Sequence, residues 1–221
     1  MRFEVEKMDF SYANELILRE KKFEIAHGRP ENTWYLFHNH IFGAAEVARA
    51  IAELSGLDCS RAYFSALLHD IGKIREKYLQ RFHGIVGYEM LKNEDENVAR
   101  ACLVHTFPFN RLDSFEKCQS MFFGNVEDYE QTAEFMALHP LDDYDRLVQM
   151  CDWVSNAYGL VTIEERAEEY ALRHGVEVAP EMLEATHELK SYFDRKIGGD
   201  IYSLFEKVAA KDIFIAYPCR R

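Results

Sequence analysis

Apolar residues recur along this chain at every third or fourth position, with polar residues between them. That spacing follows the 3.6-residue turn of an α-helix, not the two-residue alternation of a strand. It predicts helices over 9–26, 33–55, 59–70, 83–93, 95–106, 127–138, 143–158, 163–174 and 180–206. Helix breakers punctuate the pattern at Gly28-Arg29-Pro30, Gly56, Pro108, Gly124-Asn125, Pro140, Gly175 and Gly198-Gly199. The closing DIFIAYP reads as a short strand or an extended tail. The expected fold class is all-α, a helical bundle with an additional C-terminal helical segment.

The apolar stripes contain residues that do not belong there on hydropathy alone. His40 lines up with Ala44, Val47, Ala48 and Ile51, which places its imidazole at the head of the core-facing stripe. His83 shares a face with Val86, Gly87 and Met90, and His105 with Val98, Ala101 and Cys102. Asp152 falls beside Val148, Cys151 and Ser155, while His69 and Asp70 end the apolar run AYFSALLHD. One such residue is ordinarily a hydrogen-bonded core histidine. Six inward titratable groups, two of them acids, are another matter, because a buried carboxylate without a partner costs several kcal/mol. The cheapest common solution is that they face one another across one or two metal ions. Four imidazoles and two carboxylates without a thiolate suit Fe, Mn, Co, Ni or Zn better than Mg or Ca. If one aspartate bridges, two ions follow.

Composition narrows the partners. With 48% hydrophobic and 29% charged residues the chain is ordinary for a water-soluble globular protein. No stretch approaches the roughly 20 apolar residues of a membrane span, and MRFEVEKMDF lacks the order of a secretory signal. Five widely spaced cysteines without a CxxC pair read as reduced thiols, so a cytoplasmic location is expected. The net charge of −12 disfavours duplex nucleic acid and anionic membrane as partners. Charge is uneven, from −10 over 127–169 to +3 over 73–92, and the basic stretch lies between two of the proposed ligands.

At HDIGK (His69 to Lys73) the sequence resembles the HD-domain superfamily of metal-dependent phosphohydrolases. His40 followed by VARAIAELSGLD, then ALLHDIGKI, HGIVGYEML, LVHTF and LVQMCD, stand in that family's order over residues 33–160. At 221 residues the chain is expected to form a single domain over 1–221. Its parts would be an N-terminal helix (1–32), the HD metal-binding core (33–160) and C-terminal helices with a tail (161–221). The resemblance implies that His40, His69, Asp70 and Asp152 hold one ion, with Asp70 bridging to a second held by His83 and His105. Iron is the foremost expectation for both ions. The second histidine pair is similar to the two-metal branches, but HTFP after His105 departs from the dinucleoside-tetraphosphate hydrolases, so their substrate is not carried over. The implied reaction is cleavage of a phosphomonoester, phosphodiester or phosphoanhydride of a small, nucleotide-like substrate by a metal-activated water. Two other readings stay open: a di-iron oxygenase of HD type, and a regulatory module that binds metal without catalysis.

Around that centre, Asp70 and Lys73 are the expected catalytic residues, with Lys73 neutralising a phosphate oxygen. Arg75, Lys77, Arg81 and His38 are candidates for substrate contact, each weighed against an ordinary surface or structural role. Trp34, Tyr35 and Phe37 are better read as core than as a base-stacking platform. The aromatic-rich segment from Phe107 to Asn125 is a candidate for substrate selection. The helices after Gly159 read as a cap or a homodimer surface.

Overall fold

The computed structural model describes residues 8–215. Its helices are α1 (Phe10–Ala26), α2 (Tyr35–Ser55), α3 (Cys59–Leu68), α4 (Glu76–Leu79), α5 (His83–Leu91) and α6 (Glu96–Val104), followed by α7 (Phe115–Cys118), α8 (Val126–Leu138), α9 (Asp143–Trp153), α10 (Ile163–His174), α11 (Pro180–Ile197) and α12 (Phe205–Ala209). Short 3₁₀ turns fill several of the joints, including Ile71–Ile74 and Pro108–Asn110. Among the described residues strand is confined to a two-residue antiparallel pair, β1 (Ser155–Asn156) with β2 (Gly159–Leu160). The fold is all-α.

Local chemistry sets most of the boundaries. Asp9, Asp58, Asp95 and Asn125 accept backbone N–H groups at the starts of α1, α3, α6 and α8. Asp142 with Asp145, and Thr162 with Glu165, form reciprocal capping boxes on α9 and α10. Each such cap satisfies donors that the first turn leaves orphaned and stabilises by about 1 kcal/mol.

Two expected helices end early. The 143–158 helix stops at Trp153, where the next residues take up one contact across the fold and one local turn. The Ser155 hydroxyl donates to the His40 carbonyl (2.8 Å), and Asn156 Oδ1 accepts the Tyr158 N–H (2.8 Å). The 180–206 helix breaks at Gly198, whose φ of +68° is the left-handed conformation that glycine adopts without steric cost. Of DIFIAYP, residues 216–218 lie outside the described residues. The described part is irregular, with Asp212 at a φ of +54° and no strand pairing, and is held where Ile215 exchanges hydrogen bonds with the Asn39 side chain.

α2 is the central element. Ala44, Ala45, Ala48 and Ala52 are fully buried along it, and these small side chains let α3, α9 and α11 pack closely against it. Burying Ile41, Ile51 and Leu68 completely contributes about 1.5–3 kcal/mol each. Trp34 and Tyr35 are buried as well, as core residues. A second apolar cluster, built on Phe82, Ile85, Leu103, Phe107, Phe122 and Met136, lies where α5 and α6 meet the chain that follows them. The 107–125 segment is therefore no open loop: Phe107 and Phe122 are buried in this cluster, and Phe115 packs at its edge.

α5 also packs on the Ile71–Ile74 turn, and Gly72 makes that approach feasible. A Cβ at Gly72 would fall inside 3.0 Å of both the His83 carbonyl oxygen and the Gly87 amide nitrogen. Gly72→Ala is expected to destabilise by about 1–3 kcal/mol, the usual cost of overpacking. The backbone that gives way carries His83, a ligand expected from the sequence, so bound metal is expected to fall as well; thermal melting and elemental analysis together test this.

Candidate metal centre

Six side chains converge from five parts of the fold. His40 lies within α2, and His69 and Asp70 follow the end of α3. His83 opens α5, His105 follows α6, and Asp152 stands in the last turn of α9. His69, Asp70 and His105 are at most 2% exposed, whereas the Asp152 side chain keeps 21%.

The orientation of each ring follows from its second nitrogen. His69 and His105 sit one residue past a helix end, where the last carbonyls have no helical donor. Each turns its Nδ1 back to the carbonyl three residues earlier: His69 to Ala66 (2.6 Å) and His105 to Cys102 (2.9 Å). His40 Nδ1 donates to the Ser155 carbonyl (2.9 Å), which the β1 turn brings up to α2. His83 Nδ1 faces the Glu76 carboxylate at 3.0 Å. In a neutral ring, the nitrogen that meets a carbonyl or carboxylate carries the proton, which leaves Nε2 as a lone pair pointing inward.

Those lone pairs meet in twos. His40 Nε2 lies 3.2 Å from His69 Nε2, and His83 Nε2 lies 3.1 Å from His105 Nε2. Two acceptors at that distance repel unless a cation stands with them. Asp70 joins the pairs by splitting its oxygens. Oδ2 is 3.4 Å from His40 Nε2, while Oδ1 is 3.5 Å from His83 Nε2 and 3.3 Å from His105 Nε2. Asp152 Oδ1 completes the first group, 3.2 Å from His40 Nε2 and 3.6 Å from His69 Nε2.

This arrangement fits metal ions on the strength of what is left unsatisfied. Asp70 Oδ1 is buried without a hydrogen-bond partner, an unusual and costly condition for a carboxylate oxygen. Donor atoms of His40, His69 and Asp152 lie within 4.8 Å of one another, and so do those of His69, Asp70 and His105. The Thr106 hydroxyl, 3.0 Å from His105 Nε2, is the nearest neutral alternative partner for that nitrogen.

Among the side chains themselves, carboxylates and imidazoles hold one another toward their charged forms, except at His105. Burial works against ionising Asp70, but Lys73 and His69 outweigh it and hold the carboxyl well below its usual range. Burial likewise opposes ionising Asp152, and hydrogen bonds with His40 and His69 prevail, so it too is held well below. Burial would lower His40, yet Asp152 and Asp70 push it above its ordinary value. Burial dominates at His105 and brings it down to about 4, which keeps the imidazole neutral as a ligand must be. Two anionic carboxylates in a buried cluster thus demand positive charge on their imidazole side.

Other expected contacts turn out differently. Lys73 does belong here, its Nζ 2.9 Å from Asp70 Oδ2 and its side chain half-exposed. Arg75 does not: it is committed to the fully buried Glu20 through two hydrogen bonds of 2.7 and 2.9 Å. Arg81 is held by the buried Asp128 (2.7 Å) and by Glu89 (2.9 Å), which fixes the chain just before His83. Lys77 lies on the exposed turn of α4. His38 is half-buried, stacks on Phe42 and faces Asn39. Sequence reasoning missed Glu76, Ser155 and Thr106. Glu76 reads locally as one more surface acid, and Ser155 acts partly through its backbone carbonyl, which no side-chain pattern reports.

The HD domain model matches residues 37–157, more than half of the chain, and the chain belongs to that family. Membership points to metal-dependent hydrolase chemistry. Neither a curated protein nor a solved structure matches the chain. No helix among the described residues is long and apolar enough to cross a membrane.

Proposed function

We propose that this protein is a two-metal phosphohydrolase acting on a small phosphorylated, nucleotide-like substrate. The observation that carries the reading is the division of Asp70, whose two oxygens face two different pairs of opposed imidazole nitrogens. His40, His69, Asp152 and Asp70 Oδ2 would hold one ion, and His83, His105 and Asp70 Oδ1 the other. Iron suits this donor set best, with Mn, Co, Ni or Zn as alternatives. When bound, such ions lower the pKa of a coordinated water and neutralise charge on phosphoryl oxygens.

The protein's own groups supply position and charge. The Nδ1 anchors fix the four rings before any substrate arrives, so no reorganisation is needed at the reacting centre. Lys73 offers a half-exposed ammonium beside Asp70, suited to a non-bridging phosphate oxygen. The net charge of −12 favours a small anion met by local cations over a long polyanion.

Elemental analysis of purified protein, beside a His83→Ala/His105→Ala variant, tests the metal assignment. The expected result is near two transition-metal ions per chain falling to about one, followed by phosphate release in a substrate screen with that metal. One ion or fewer in the parent under full metal supply would sink the second site. Oxygen uptake on an organic substrate without phosphate release would overturn the hydrolase reading.

A further inference from the structure

The four ligand rings are not anchored alike. His40, His69 and His105 lean their Nδ1 on backbone carbonyls, which are neutral and part of the packed frame. His83 alone leans on a side chain, the Glu76 carboxylate at 3.0 Å. A carboxylate behind a metal-binding imidazole fixes its tautomer and makes the ring a stronger donor, more so than a carbonyl does.

Glu76 occupies a distinctive place. It is the first residue of α4, a single turn between the HDIGK segment and α5, and its side chain is 17% exposed. The carboxylate is thus screened only in part, and it can be replaced without opening a core cavity. The two groups of donors also differ in number. The chain offers four atoms around the first (His40, His69, Asp152, Asp70 Oδ2) and three around the second (His83, His105, Asp70 Oδ1). With one donor fewer, the second group depends more heavily on the strength of each ligand.

We infer that Glu76 is a positioning residue that sets the occupancy of the second ion through His83. This rests on the two-metal reading above. The first ion stays bound when metal is scarce, and the Glu76–His83 contact decides how readily the second joins it.

The test is a titration of the chelator-treated full-length chain with Mn(II), following free Mn(II) by electron paramagnetic resonance. The parent should show two classes of site. Glu76→Ala should leave the tighter class unchanged and weaken the other by about 10–100-fold. Glu76→Gln keeps an acceptor for Nδ1 without the charge, and should fall between the two. The melting temperature of the metal-free protein should be the same for all three, since α4 lies on the surface. Parental Mn(II) binding by Glu76→Ala would overturn the inference and leave the two-metal reading standing. So would equal weakening of both classes, or a lowered metal-free melting temperature that accounts for the loss. A parent that binds a single Mn(II) would instead overturn the two-metal reading, and the role of Glu76 with it.

Discussion

Replacing Asp70 with alanine is expected to reduce phosphate release by on the order of a thousandfold, and bound metal from about two ions to one or fewer. The reason is geometric. Among the described residues, Asp70 is the one whose oxygens face both groups, Oδ2 toward His40 and Oδ1 toward His83 and His105. Truncation removes a donor and a negative charge from both sides at once. Loss of several kcal/mol of transition-state stabilisation corresponds to about three powers of ten in rate. Asp152→Ala, which touches the His40–His69 group alone, should cost metal on that side only. Elemental analysis with single-turnover kinetics on both variants provides the check. Full metal content in Asp70→Ala would contradict a bridging role.

A large effect on stability is expected at Asp128, away from the proposed metal ligands. This acid is 1% exposed and holds together the start of α5. Its Oδ1 accepts two hydrogen bonds from Arg81 (3.0 and 2.7 Å), and its Oδ2 accepts the buried Phe82 N–H (2.9 Å). Asp128→Ala orphans the Phe82 amide, at about 1–3 kcal/mol. It also breaks an ion pair with the partly solvated Arg81, at about 1 kcal/mol after screening. Together these predict a loss of roughly 2–4 kcal/mol, or about 10 °C in melting temperature for a chain of this size. Asp128→Asn keeps an acceptor for Phe82 and should recover a good part of the loss. Because Phe82 precedes His83, the alanine variant should bind the second ion more weakly as well. Unchanged melting would show that the α8–α5 contact holds without this acid.

Much of this protein is legible in its sequence, for identifiable reasons. Helix periodicity and capping are local, so α1, α2, α3, α8, α9 and α10 begin within two residues of where the pattern puts them. The six inward His and Asp residues were visible because buried polar groups interrupt apolar stripes, and only mutual compensation makes that tolerable. The ordered motifs from His40 to Asp152 identify the family, and the family match covers the same stretch.

What the sequence left open were the roles that particular partners far along the chain assign. Arg75 and Arg81 look like phosphate contacts in a basic run, yet Glu20 and Asp128 claim them from 55 and 47 residues away. The 143–158 pattern continues as helix on paper, but Ser155 is drawn off by His40 across 115 residues. Glu76 gains its significance solely from facing His83. Sequence by itself determined the helices, the family and the identity of the inward donors, because periodicity, caps and burial cost act over a few residues or on each residue alone. Tertiary structure decided which nitrogen of each histidine points inward, how Asp70 divides its oxygens and which cations remain near the site. These are matters of distance between groups, and the chain's order does not encode distance.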